Sequence, residues 1–136
     1  MIKKADAELL NAIRERKGYY AVCCDIHHLS VINETSFEAG NLCILQTLKR
    51  VMEEIREDDR FFRVGGDEFV VLTNSGDDAY AKELAERIKA HNGQTVPFDM
   101  EEFPLSLKVS VVEIPSDDAG CDDFLNMMNA SLSECN

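Results

Sequence analysis

The sequence predicts an α/β (α+β) domain with a mixed central sheet of about five strands flanked by helices. Three stretches carry that prediction. Tyr19-Tyr20-Ala21-Val22-Cys23-Cys24 is an almost continuous apolar run closed by Asp25, the pattern of a buried central strand whose polar residue emerges at its carboxyl end. From Glu38 to Arg56, Leu42, Leu45, Leu48, Met52 and Ile55 recur at steps of three or four between charges, which predicts a helix with one inward stripe. Phe61 to Val64 and Phe69 to Thr73 are short β-rich runs on either side of Gly65-Gly66-Asp67-Glu68, which predicts a hairpin.

The remaining elements follow in order. Ala5 to Arg16 carries Leu9, Leu10 and Ile13 at helical spacing and stops near Gly18, so residues 1–17 are expected to form a lead-in helix. Beyond the hairpin, Asn74-Ser75-Gly76 is a turn, and Ala81, Leu84, Ala85 and Ile88 give the next helix one apolar face, ended by Asn92-Gly93. Leu105 to Ile114 alternates Leu105, Leu107, Val109 and Val111 with Ser106, Lys108 and Ser110, a strand pattern. Pro115 to Gly120 reads as a loop and Cys121 to Cys135 as a last helix. No linker, repeat or low-complexity tract interrupts the chain, so residues 1–136 are expected to be a single domain.

Composition narrows the function classes. At 136 residues, 45% hydrophobic and 29% charged, the chain can bury a core without staples. With 26 acidic against 14 basic residues the net charge is −12, a surface that repels a nucleic-acid backbone. A small phosphorylated ligand remains compatible if a divalent metal supplies positive charge. The five cysteines, Cys23, Cys24, Cys43, Cys121 and Cys135, form no C-x-x-C pair. They read as reduced core residues. No run of about 18 apolar residues suggests a membrane span, and Asp6 precedes any apolar leader core, so a cytoplasmic location is expected.

Chemistry concentrates at two places. Asp25 ends a buried strand, and Asp67 and Glu68 sit at the tip of a hairpin whose glycines let backbone approach a ligand closely. If those strands are neighbours, Asp25 and Asp67 could share Mg²⁺, which takes one or two carboxylates and completes its octahedron with phosphate oxygens and water. The same four residues also make a good ordinary turn. His27 and His28 are poor joint ligands, because adjacent side chains diverge in a strand.

Arg63-Val64-Gly65-Gly66-Asp67-Glu68-Phe69-Val70-Val71-Leu72 resembles the signature of the GGDEF (diguanylate cyclase) family with its flanking strands. Asp25-Ile26-His27-His28-Leu29 with Ile32-Asn33-Glu34 is similar to the family's D-x-D-x-F-K-x-x-N-D segment. The likeness runs from about Tyr19 to the C-terminus and implies a nucleotidyl-cyclase/palm-type fold. It implies that Asp25, the Ile26 carbonyl and Asp67 bind Mg²⁺ or Mn²⁺, and that Glu68, with Asp67, serves catalysis beside the ribose 3′-hydroxyl. Gly65 and Gly66 make room for nucleotide, and Asn33 and Asn41 occupy the guanine-contacting positions. The implied reaction condenses two GTP into cyclic di-GMP between two facing domains, as in a homodimer, under a sensor domain outside this chain. Arg56-Glu57-Asp58-Asp59 is an R-x-x-D at the spacing of the family's inhibitory site, where Arg56 and Asp59 would hold the product.

Several positions depart from the family pattern. Asn41 stands where an aspartate is usual, Ser30 replaces a lysine, and His27 replaces the second aspartate. Val112 replaces the glycine of S-x-G, and residues 126–135 contain no Lys or Arg where basic residues hold the triphosphate. Two expectations follow: a weak or dimerisation-dependent cyclase, or an inactive domain that binds GTP or cyclic di-GMP and regulates a partner.

Overall fold

The computed structural model describes residues 4–27, 32, 34, 36–64 and 68–133. The chain runs α1 (Lys4–Arg14), β1 (Tyr20–Ile26), α2 (Phe37–Met52), β2 (Arg60–Arg63), β3 (Glu68–Leu72), α3 (Asp78–Lys89), β4 (Thr95–Phe98), β5 (Glu101–Pro104), β6 (Leu107–Glu113), α4 (Asp118–Asp122) and α5 (Phe124–Ser133). The main sheet has the order β2-β3-β1-β6, and each of its pairings is antiparallel. The fold class is the expected one. Within it the sheet has four strands and antiparallel pairing, where the sequence suggests about five strands and a mixed sheet. The tight hairpin lays β3 rather than β2 beside β1, and the chain returns along β1's other edge as β6.

Alternation along the strands divides the core. Val22, Cys24 and Ile26 of β1, Phe69 and Val71 of β3, and Leu107 and Val109 of β6 face α2 and α3. Ala21 and Cys23, with Val70 and Leu72, face the other way, onto Leu9 and Ile13 of α1 and Phe124, Met128 and Leu132 of α5. The sheet is therefore covered on both faces, which is why β1 reads as a continuous apolar run. The four cysteines of the described residues are buried and unbridged, as expected. Among those residues, no helix is long and apolar enough to cross a membrane.

Helix α2 differs from the expected one in length and in its buried face. Ser36 caps it, accepting from the Ala39 amide at 3.2 Å, and it ends at Met52, so Arg56 lies beyond it. Its buried residues are Ala39, Gly40, Cys43, Ile44, Thr47 and Val51, while Leu45 is 62% and Met52 55% exposed. Ala39 and Cys43 pack with Ile32, Val96, Phe103 and Leu105 beside β4 and β5, while Ile44 and Val51 join the core against the main sheet. The ribbon β4–β5 does not show in the sequence pattern. It turns on Asp99 (φ 49°) and Met100 (φ 67°), two residues with positive φ as a type I′ turn requires, but without the Asn-Gly that marks such turns. Pro97 and Pro104 further mask its strands.

Candidate functional site

The carboxyl end of β1 is the focus. Cross-strand register sets Asp25 opposite Glu68 of β3 on one side and Lys108 of β6 on the other. Directly opposed residues share a face of the sheet, with Cβ atoms about 4.5–5.5 Å apart. Glu68, Asp25 and Lys108 thus form one row across three strands, each half-buried. Ile26 follows Asp25, is 4% exposed and pairs with Leu107, while His27 donates its backbone N–H to the Ser106 carbonyl at 2.7 Å. These bonds fix the strand end that carries Asp25 and the Ile26 carbonyl.

The hairpin is closed by the Val64 N–H donating to the Glu68 carbonyl at 2.9 Å. Gly65, Gly66 and Asp67 at its tip lie outside the described residues, as do Asn33, His28 and Ser30. Two neighbouring carboxylates, Asp25 and Glu68, fit the hard-oxygen preference of Mg²⁺ or Mn²⁺. Among the described residues, no group of three or more His, Cys, Asp and Glu side chains forms a complete metal cage.

Asn41 lies on α2 and, with Ile44, Leu45 and Arg63, lines a cavity of about 250 Å³ at the base of the hairpin. That volume is below the usual range of about 300–1,000 Å³ for whole small-molecule sites.

Arg56 and Asp59 come together through a residue the sequence reading did not single out, Tyr80 of α3. The Tyr80 hydroxyl donates a short hydrogen bond to Asp59 Oδ2, and the same oxygen accepts from the Arg56 backbone N–H at 2.9 Å. The Arg56 guanidinium lies 3.8 Å from the centre of the Tyr80 ring, within the range of a cation–π contact. Asp59 is 6% exposed, whereas Arg56 is open to solvent. The arrangement leaves Arg56 available to an anion and commits Asp59 to the fold. The sequence signal for Tyr80 is slight: a single large polar-tipped residue on the apolar face of α3.

Burial, and next the bond to Asp59, push the Tyr80 phenol up to about 12. A raised pKa means that the folded state keeps its proton after the unfolded chain has lost it. The associated stability is therefore complete below pH 10 and drains away as pH climbs toward 12. A loss of about 2 kcal/mol is expected over that interval. Tyr20 and the thiols of Cys24, Cys43 and Cys121 are also pushed up, so the readout is a comparison. Urea midpoints of the wild type and Tyr80→Phe should converge as pH rises from 9 to 12, and a constant gap would remove the Tyr80–Asp59 bond as the cause.

The family model described as diguanylate cyclase, GGDEF domain, matches residues 1–134. The chain is 33% identical over 102 residues to the probable diguanylate cyclase DgcT of Escherichia coli K12, covering 74% of this chain and 22% of that protein. It is 24% identical over 115 residues to the bifunctional diguanylate cyclase/cyclic di-GMP phosphodiesterase MucR of Pseudomonas aeruginosa, covering 84% of this chain and 17% of that protein. A crystal structure of a sensory box/GGDEF family protein from Caulobacter crescentus superposes with a TM-score of 0.80 at 26% identity, over 95% of this chain and 87% of that one. The curated relatives are much longer: the chain spans 14–22% of their length. The chain belongs to the GGDEF domain family of diguanylate cyclases.

Proposed function

We propose that this domain condenses two GTP into cyclic di-GMP with Mg²⁺ or Mn²⁺, as a weak cyclase that needs two copies facing each other. The observation that supports this reading best is the register of β1 against β3, which sets Asp25 and Glu68 side by side where the hairpin begins. Each half-reaction forms a bond from a ribose 3′-oxygen to the α-phosphorus of the other nucleotide, breaks the α–β bridge and releases pyrophosphate. The 3′-hydroxyl proton must leave, and in this reading Glu68 would take it. Asp25, the Ile26 carbonyl and Asp67 would hold the cation, which supplies charge neutralisation on the phosphates when bound. Asn33 and Asn41 would read the guanine, an amide offering both a donor and an acceptor, while Gly65 and Gly66 admit the nucleotide. A cytoplasmic setting and control by a sensor domain outside this chain belong to the same reading.

A second reading, a non-catalytic module that binds GTP or cyclic di-GMP, is favoured by α5. That helix carries no basic residue along Phe124–Ser133, so those residues offer no cation to a triphosphate. Incubation with GTP and Mg²⁺ or Mn²⁺, followed by mass spectrometry, separates the two. Cyclic di-GMP that forms and is abolished by chelator supports the cyclase. GTP bound without product at high protein concentration supports the module.

At the proposed inhibitory site, Arg56→Ala is expected to weaken cyclic di-GMP binding about tenfold or more, the loss of one charge-assisted contact. Calorimetric titration of both proteins checks it. Equal affinity would remove Arg56 from ligand recognition.

A further inference from the structure

We propose that Lys108 is a phosphate-holding cation of this domain, supplying from β6 a charge that α5 does not offer along Phe124–Ser133. The inference rests on the nucleotide-binding reading above and deepens it. Its basis is the row Glu68–Asp25–Lys108 fixed by strand register.

The position of that row follows from the rows behind it. Val70–Cys23–Ser110 and Leu72–Ala21–Val112 occupy the same face of the sheet. Val70, Cys23, Leu72 and Ala21 are buried there beneath α1 and α5, with Phe124, Met128 and Leu132 supplying the α5 contacts. The charged row is the next step outward on that face, so it lies where the sheet emerges from beneath the helices. Helix α5, which covers this face behind the row, brings no positive charge along Phe124–Ser133. Lys108 brings one from within the row.

Several other cations of the described residues are engaged elsewhere. Arg14 pairs with Asp122, Lys17 with Asp118, Lys82 with Asp78, Lys89 with Glu86, and Arg87 with Glu54 and Glu83. Lys108 is in none of these pairs, and it is half-buried. On a chain of net charge −12, a polyphosphate is repelled from every approach lacking a local cation.

The test is calorimetric titration with inorganic tripolyphosphate in Mg²⁺, then with GTP, on the whole chain. Wild type, Lys108→Met, Lys108→Arg and the control Lys82→Met are compared. The expected result is tripolyphosphate binding that falls about tenfold or more in Lys108→Met, recovers in Lys108→Arg and is unchanged in Lys82→Met. Tripolyphosphate bound equally by wild type and Lys108→Met, or not bound by wild type at all, overturns the assignment. Tripolyphosphate bound through Lys108, with GTP no tighter, supports the assignment and overturns the guanine reading instead. GTP bound and turned over equally by wild type and Lys108→Met does the opposite. Melting curves of the four proteins confirm that each is folded.

Discussion

Asp25→Asn is expected to lower cyclic di-GMP formation by about a hundredfold or more while leaving the chain folded. The amide preserves size and shape at a half-buried strand end but removes the charge that a hard cation requires. The effect on stability is small because Asp25 has opposed neighbours. Glu68 repels it across one strand boundary and Lys108 attracts it across the other, each cross-strand pair contributing roughly 0.2–1 kcal/mol. Removing the Asp25 charge relieves one and forfeits the other. Thermal melts give a readout independent of turnover. Mg²⁺ or Mn²⁺ should raise the wild-type midpoint with concentration, as any ligand of the native state does, and leave Asp25→Asn unmoved. A variant that keeps full activity, or still gains stability from metal, would remove Asp25 from the proposed metal site.

How much of this was legible beforehand depends on what each feature needs. The buried strand Tyr20–Ile26 was legible because both of its faces are covered, so its apolar run is unbroken. Helix α3 was legible because Tyr80, Ala81, Leu84, Ala85 and Ile88 are one coherent inward face. The inward face of α2 was not, since Ala39, Gly40, Cys43 and Thr47 are too small to outweigh Leu45 and Met52 in a hydropathy pattern. The β4–β5 ribbon was hidden by its unconventional Asp99-Met100 turn.

Within the site, the sequence motif placed Asp25 and Glu68 on separate segments, and only strand pairing makes them neighbours. Lys108 shows the limit most clearly. Alternation assigns it to a face of β6, but the identity of its partner depends on which strand β6 joins and in what register. Tyr80 is a similar case: it lies 21 positions from Asp59, and no local pattern links them.

Phe69→Ala is expected to destabilise the domain by about 3–5 kcal/mol, a large fraction of the roughly 5–15 kcal/mol that holds such a domain folded. Phe69 closes the GGDEF signature, yet its place is in the core. It is 1% exposed, lies opposite Cys24 of β1 and Arg63 of β2, and stacks on Phe61 with ring centroids 5.4 Å apart at 29°. Truncation leaves a cavity between sheet and helices and forfeits the aromatic pair, itself about 0.5–1.5 kcal/mol. Phe69→Leu retains most of the volume and should cost less than about half as much. The consequence for function is indirect. Glu68 precedes Phe69 on the same strand and points to the opposite face, so anchoring the ring holds the carboxylate in line with Asp25. Guanidinium unfolding should show a lower midpoint with an unchanged slope, and nucleotide chemistry should return toward wild type at temperatures where Phe69→Ala is still folded. Activity lost in a fully folded Phe69→Ala protein would show instead that the ring acts on the site directly, beyond its part in the core.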